Sequence, residues 1–510
     1  MDLATQLLLC LTVVAVCAGI VRWVRLPLPV LQTLAGAILA WPIGVHFELD
    51  PHAFLLVLIP PLLYIDGWRI PKSDLRANRA TILMMAFGLV VITVLLVGVL
   101  ADYLVPGVPL PVAFAIAAAL SPTDAVAVSG ITGRVAVPHR LMIILQGEAL
   151  FNDASGLVAM RVAVAAMLTG AFSWAHAAGS FVIVAVGGVA VGVAMAWLLT
   201  RFSRLVFGRE EGDTAPRILL LLLFPYAAYL AAEEFELSGI LAAVAAGMVA
   251  VRFSSIEAEH RSTRLQMIVV THMFEGALNG LVFVLLGLQL PTIVRELDAI
   301  AIDAQLSPTG LIIAIAAVIG GLAAVRFIWV WVSLSLTLHR AHVGSRPPLR
   351  LVAATTLAGV RGAVTLAAAL TLPLTLVDGS KFPAREVAIF VCAVVIVVWL
   401  IVASIGLPLL LRNVELPDDD GDVIEKRVRG AMAEAAIEAL QAQPESSERA
   451  QVIELYRARL RPDQPGLERE LRRVAIAAER KALHAMSDID VENRRRFLVE
   501  LDLIDEALDR

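Results

Sequence analysis

Seven polar residues stand out because each lies inside a long apolar run: Asp124 in LSPTDAVAVSGI, Glu148 and Asp153 in ILQGEALFNDASGLV, Glu275 and Asn279 in THMFEGALNG, Arg326, and Arg361 in LAGVRGAVTLAAAL. An ionisable group at the centre of a membrane span costs about 2.5–3.5 kcal/mol on insertion scales, so each charged member is a functional hypothesis by default. Helical spacing puts Glu148, Asn152 and Ser155 on one face, while Asp153 lies about 100–140° round the helix on the face of Ala149 and Gly156. Small neighbours leave Asp153 room for a hydrated ion and for close approach of another helix. A lone carboxylate in a partly desolvated cavity can exchange a proton for a hard monovalent cation, which prefers oxygen ligands. The alternative is a buried structural hydrogen-bonding role.

Two of these charges sit beside helix-weakening residues. Pro122 precedes Asp124 by two positions, and Gly359 and Gly362 flank Arg361. Proline removes a backbone donor and glycine costs about 1 kcal/mol in a helix interior, so both segments can break there. Paired broken helices with half-helix ends at mid-membrane are a known way to build an ion site. Asp124 would neutralise exposed N–H groups and Arg361 exposed carbonyls; ordinary kinks with a structural ion pair are the plainer reading.

The elements that must hold these residues are membrane spans. A crossing helix needs roughly 20 apolar residues, fewer where it is short or broken. About thirteen candidates are present: 4–20, 28–45, 53–66, 79–100, 110–131, 139–168, 178–200, 216–232, 238–251, 268–290, 308–337, 350–376 and 385–411. Loops after odd-numbered spans carry 18 Lys/Arg and loops after even-numbered spans carry 3. Cytoplasmic loops collect basic residues, so the N-terminus is expected outside and the C-terminal tail in the cytoplasm. The opening MDLATQLLLC lacks the basic start of a cleaved signal peptide and reads as a first span.

Composition agrees. The 510-residue chain is 59% apolar and 17% charged, far from an average soluble protein. Charge is concentrated at the end: residues 413–510 hold 16 Lys/Arg and 23 Asp/Glu, against 25 and 23 in residues 1–412. The expected organisation is an all-α polytopic membrane domain over 1–412 followed by a helical cytoplasmic domain over 413–510. The tail opens on PDDDG and continues as amphipathic segments such as VIEKRVRGAMAEAAIEAL, suited to a solvated cap, a dimer contact or a regulatory element. No basic footprint for nucleic acid and no nucleotide-binding fingerprint is present, and Cys10, Cys17 and Cys392 have no ligand spacing. No cofactor is expected.

In order along the chain, IPPLLYIDGWRIP, SPTDAVAVSGI, GEALFNDASGLV, LSGILAAVAAGM, LNGLVFVLLGL and VRGAVTLAAAL resemble the monovalent cation:proton antiporters of the NhaP and NHE type, over about residues 5–412. The resemblance implies thirteen spans in two inverted six-helix repeats, a homodimer, and elevator-like alternating access in a bacterial inner membrane. It implies an ion site at Asn152 and Asp153, with Thr123 and Asp124 from the broken fifth span, Arg361 from the broken twelfth, and Glu148 paired with Arg326 as scaffold. An Asn-Asp pair implies electroneutral exchange of one proton for one Na⁺, Li⁺ or K⁺. Two positions depart from relatives: Ala149 replaces a serine ligand of the archaeal branch, and Asp66 stands where glutamate is frequent, as an ion ligand or a helix-end charge beside Arg69.

Weaker signals are His272, an interfacial side chain or a pH sensor; Glu233, Glu234 and Glu236, a solvated acidic loop or a cation-attracting outer mouth; and Tyr226 and Tyr229, which read as packing residues. Rival functions are a K⁺/H⁺ antiporter of the same mechanism, a cation channel, and an intramembrane aspartyl protease. The last would need two carboxylates sharing a proton and the YD and GxGD motifs, which do not surround these aspartates. A transporter rather than an enzyme is expected.

Overall fold

The computed structural model describes residues 3–24, 26–41, 51–70, 75–76, 78–132, 139–169, 174–207, 214–253, 261–340, 347–376 and 378–412, and in the tail 434–435, 437–442, 449–450, 453–454 and 457. The chain divides into two compact units, Met1–Leu416 and Pro417–Arg510. Most of the amphipathic segments read in the tail lie outside the described residues, with helix described at 437–441.

The first unit is helical: α1 (Leu3–Ile20), α2 (Leu28–Ala40), α3 (Pro51–Arg69), α4 (Arg79–Leu104), α5 (Leu110–Ala119), α6 (Ala125–Thr132), α7 (His139–Thr169), α8 (Trp174–Phe207), α9 (Thr214–Glu233), α10 (Gly239–Phe253), α11 (Arg261–Arg295), α12 (Leu297–Asp303), α13 (Pro308–Arg340), α14 (Leu349–Leu357), α15 (Ala363–Leu370) and α16 (Arg385–Leu411). No strand is formed among the described residues, apart from one isolated antiparallel bridge between Thr375 and Lys381. Without water to satisfy backbone groups, helices of apolar residues are what a bilayer permits. Seven of these (α4, α7, α8, α9, α11, α13 and α16) are long and apolar enough to cross a membrane, while stretches within α1, α2, α5 and α10 are apolar but shorter.

The helices pack as two groups. In one, α2 lies along α11, and α10 packs against α3, α8 and α9. Backbones meet closely here because the contact residues are small: a Cβ on Gly36 or Gly287 would strike the facing backbone of α11 or α2, the small-residue packing typical of helices in lipid. In the other group, α4, α5 and α7 pack together, and α16 runs beside α5, α6, α14 and α15.

The apolar segments at 110–131 and 350–376 each form two half-helices, α5 with α6 and α14 with α15. The breaks face each other, and Asp124 N–H donates to Val360 O at 2.7 Å. A Cβ at Gly362 would overlap the Asp124 carboxylate, and one at Gly359 the Arg326 guanidinium. These glycines let the crossing close. The α4 helix carries a π-helical turn at Met84–Gly88, a local irregularity often found beside functional sites. Ser155 of α7 donates to Ala86 O at 2.9 Å and Trp329 of α13 to Met84 O at 3.1 Å.

Candidate functional site

Two broken helices leave half-helix ends deep in an apolar bundle, and each end needs a partner. Asp124 is the N-cap of α6: its Oδ1 accepts from Ala127 N–H at 2.8 Å, the arrangement expected of an aspartate at that position. Arg361 serves the opposite ends. Its Nε donates to Leu120 O at 3.0 Å, just past α5, and its Nη1 donates to Gly359 O, just past α14. The guanidinium lies 4.3 Å from the Trp399 ring centroid, and Trp399 Nε1 donates to Leu357 O at 3.2 Å. A carboxylate therefore faces the positive helix ends and a cation the negative ones. Both have their charge offset locally.

A second buried pair braces the crossing. Arg326 of α13 and Glu148 of α7 form a two-pronged ion pair at 2.5 and 3.0 Å, with 1% and 0% of their surfaces exposed. Arg326 Nε also reaches Thr355 O at 3.4 Å. One turn along α7, Asn152 donates from Nδ2 to Thr123 Oγ1 at 2.8 Å and accepts from Thr123 N–H at 3.5 Å. Helix α7 is thus tied to the extended 120–124 segment and to α13.

Asp153 is different. It is 7% exposed, and among the described residues its carboxylate makes no hydrogen bond or ion pair. It lines a cavity of about 50 Å³ together with Asp66, Thr123, Asp124, Asn279 and Thr365. At roughly 10–15 Å³ per water on that measure, the space suits a few waters or a partly hydrated small ion. Ala149 lies on the same wall, so no side-chain oxygen comes from that position.

The structure therefore gathers Asp66, Thr123, Asp124 and Asp153 on one cavity, with Asn152 bonded to Thr123, Arg361 on the carbonyl ends at the crossing, and the Glu148–Arg326 pair joining α7 to α13. Asp66 is part of the cavity wall, and its neighbour Arg69 forms an ion pair with Glu275 of α11. The acidic loop after α9 is only partly solvent-facing: Glu233 binds Arg161 of α7 at 2.9 Å and accepts from Gly239 N–H at 3.2 Å, whereas Glu234 and Glu236 are exposed. His272 is exposed, Tyr226 donates to Val57 O at 3.0 Å, and the Tyr229 ring sits against Gly239. Three features had not been read from the sequence: the Arg161–Glu233 pair, the π turn of α4, and Thr365 on the cavity wall. Thr365 lies four residues after Arg361, in the first turn of the half-helix that follows the break, and that position is its available signal.

The arrangement matches a known family. The model described as "Sodium/hydrogen exchanger, transmembrane" matches residues 10–413. The chain belongs to that family. Its members are membrane cation/proton antiporters, and the match covers the same residues as the motif resemblance. An uncharacterised Na⁺/H⁺ exchanger of Escherichia coli, YjcE, is 40% identical over 98% of both chains. A sodium, potassium, lithium and rubidium/H⁺ antiporter of Bacillus pumilus is 41% identical over 80% of this chain and 61% of its own length. Among solved structures, the sodium proton antiporter MjNhaP1 of Methanocaldococcus jannaschii superposes with a TM-score of 0.59 at 18% identity, covering 80% of this chain and 98% of that one. That likeness concerns the fold.

Proposed function

We propose that this family member exchanges one Na⁺, or Li⁺ or K⁺, for one H⁺ by competitive binding at Asp153. The observation that carries the reading is a buried carboxylate without a partner, in a cavity sized for a small ion, at the crossing of two broken helices. Asp153 neutralises either a proton or a cation. Asn152 is neutral and Arg361 is permanently charged, so one charge crosses in each direction and the cycle is electroneutral. Asp124, Asp66 and Thr123 supply further oxygen atoms, and the Glu148–Arg326 pair supports α7 without joining the exchange.

Alternating access follows from the two helix groups: the group holding α5, α6, α7, α14 and α15 slides as an elevator against the other, which forms the homodimer contact. Thirteen crossings in two inverted repeats put the N-terminus outside and the tail in the cytoplasm of the inner membrane. In this assignment the transport domain is 1–412 and the cytoplasmic domain 413–510. Potassium as the exchanged ion has one specific support, that the relative from Bacillus pumilus is named for sodium, potassium, lithium and rubidium together. A channel or an aspartyl protease has no such support: Asp124 is engaged as a helix cap, and no hydrogen bond joins it to Asp153 among the described residues.

The test is proton flux into proteoliposomes, followed with a lumenal pH dye on adding Na⁺, Li⁺ or K⁺, with the membrane potential clamped or free. The expected result is cation-driven flux that is insensitive to voltage and absent in Asp153→Ala. Voltage-dependent flux would overturn electroneutrality, and a folded wild type without cation-driven flux would overturn the exchange itself.

A further inference from the structure

Two polar side chains on the cavity wall have no task in the scheme above. Thr365 is 0% exposed and its Oγ1 has no hydrogen-bond partner; Asn279 is half-buried, with its Nδ2 enclosed and unpartnered, and its Oδ1 is the atom that could face a cation. Both residues line the cavity that holds Asp153 and Asp66, Asn279 from α11 and Thr365 from α15. A buried donor or acceptor left unpaired is costly, so two of them on one cavity lining point to whatever fills the cavity as their partner. An amide and a hydroxyl suit an exchange site because each carries lone pairs for a cation and N–H or O–H donors for a carboxylate. Ala149, also part of the lining, offers no side-chain oxygen.

We infer that Asn279 and Thr365 supply side-chain oxygens that join Asp153 in completing the cation's coordination and set which alkali cation is preferred. When Asp153 instead holds the proton, the same two groups turn their donors toward the cavity carboxylates. The inference rests on the exchange reading proposed above. It also goes beyond Asp153: Asn279 rides on α11, in the other helix group, so its contact with the ion is made in this conformation and released when the groups slide.

The test is cation titration of the full-length protein in proteoliposomes with Na⁺, Li⁺, K⁺ and Rb⁺, comparing wild type, Thr365→Val, Thr365→Ser and Asn279→Leu. Valine keeps the shape of threonine and removes the hydroxyl. The expected result is about a tenfold rise in KM for the preferred cation in Thr365→Val and Asn279→Leu, a smaller effect on the maximal rate, altered ratios of KM among the four cations, and recovery in Thr365→Ser. Cation-dependent shifts in melting temperature of the purified protein should weaken in parallel. Unchanged KM ratios would overturn the inference whether or not the maximal rate falls, because a packing role affects all cations alike. Failure of the exchange reading would show separately, as a wild type without cation-driven flux.

Discussion

The crossing of the broken helices and the cavity beside it are built from the same residue types and treated in opposite ways. At the crossing every charge has a partner: Asp124 caps α6, Arg361 serves two carbonyl ends and a tryptophan face, and Glu148 meets Arg326. At the cavity Asp153, Asn279 and Thr365 are left without partners among the described residues. Completed polar networks fix a structure, whereas buried polar groups left unpaired are costly until something in the cavity pairs with them. The difference separates scaffold from working surface within a few residues of α7, where Glu148 and Asp153 are little more than one turn apart.

Stability and transport should therefore respond in opposite order. The largest loss of stability is expected for Glu148→Ala, about 3–5 kcal/mol, because Arg326 is left as an uncompensated buried charge; the purified protein's melting temperature checks it, and a Glu148→Met, Arg326→Leu double variant should recover much of the loss. Next comes Asp124→Ala, which removes an N-cap worth about 0.5–2 kcal/mol, while Asp124→Asn should keep most of that contribution since asparagine caps equally well. Ser155→Ala should cost about 0.5–1.5 kcal/mol by freeing Ala86 O in the π turn. The smallest effect on melting is expected for Asp153→Ala, which breaks no hydrogen bond or ion pair among the described residues, although it is expected to abolish exchange. A large melting change in Asp153→Ala would break the comparison.

In the proposed exchange the proton and the cation compete for one carboxylate, which also fixes a sign for pH. Raising pH removes the competing proton, so the apparent KM for the cation should fall by up to tenfold per pH unit where Asp153 is mostly protonated, and level off where it is ionised. Flux measured at several pH values checks this.

Much of the site was legible because the bilayer makes a charge expensive. Asp124, Glu148, Asp153, Arg326 and Arg361 are conspicuous for that reason, and Pro122, Gly359 and Gly362 marked the breaks next to them. The breaks are observed at those positions. Partnership was less legible. Helical spacing places Glu148 and Asn152 on one face of α7, yet the first turns to α13 and the second to the 120–124 segment, a distinction set by tertiary packing. Arg69 stands three residues from Asp66 in sequence but pairs with Glu275 of α11. Thr365 was overlooked because a threonine in an alanine-rich helix carries no charge to draw notice. The π turn has no compositional mark at all, since MMAFG is ordinary helix-forming sequence.

The central claim is that one carboxylate holds either a proton or a cation. Titration calorimetry of cation binding to the purified protein, in buffers of different ionisation enthalpy at a pH where Asp153 is protonated, counts the protons released on binding. Close to one proton released per cation bound is expected, with neither binding nor release in Asp153→Asn. Cation binding without proton release, or release that persists in Asp153→Asn, would contradict it.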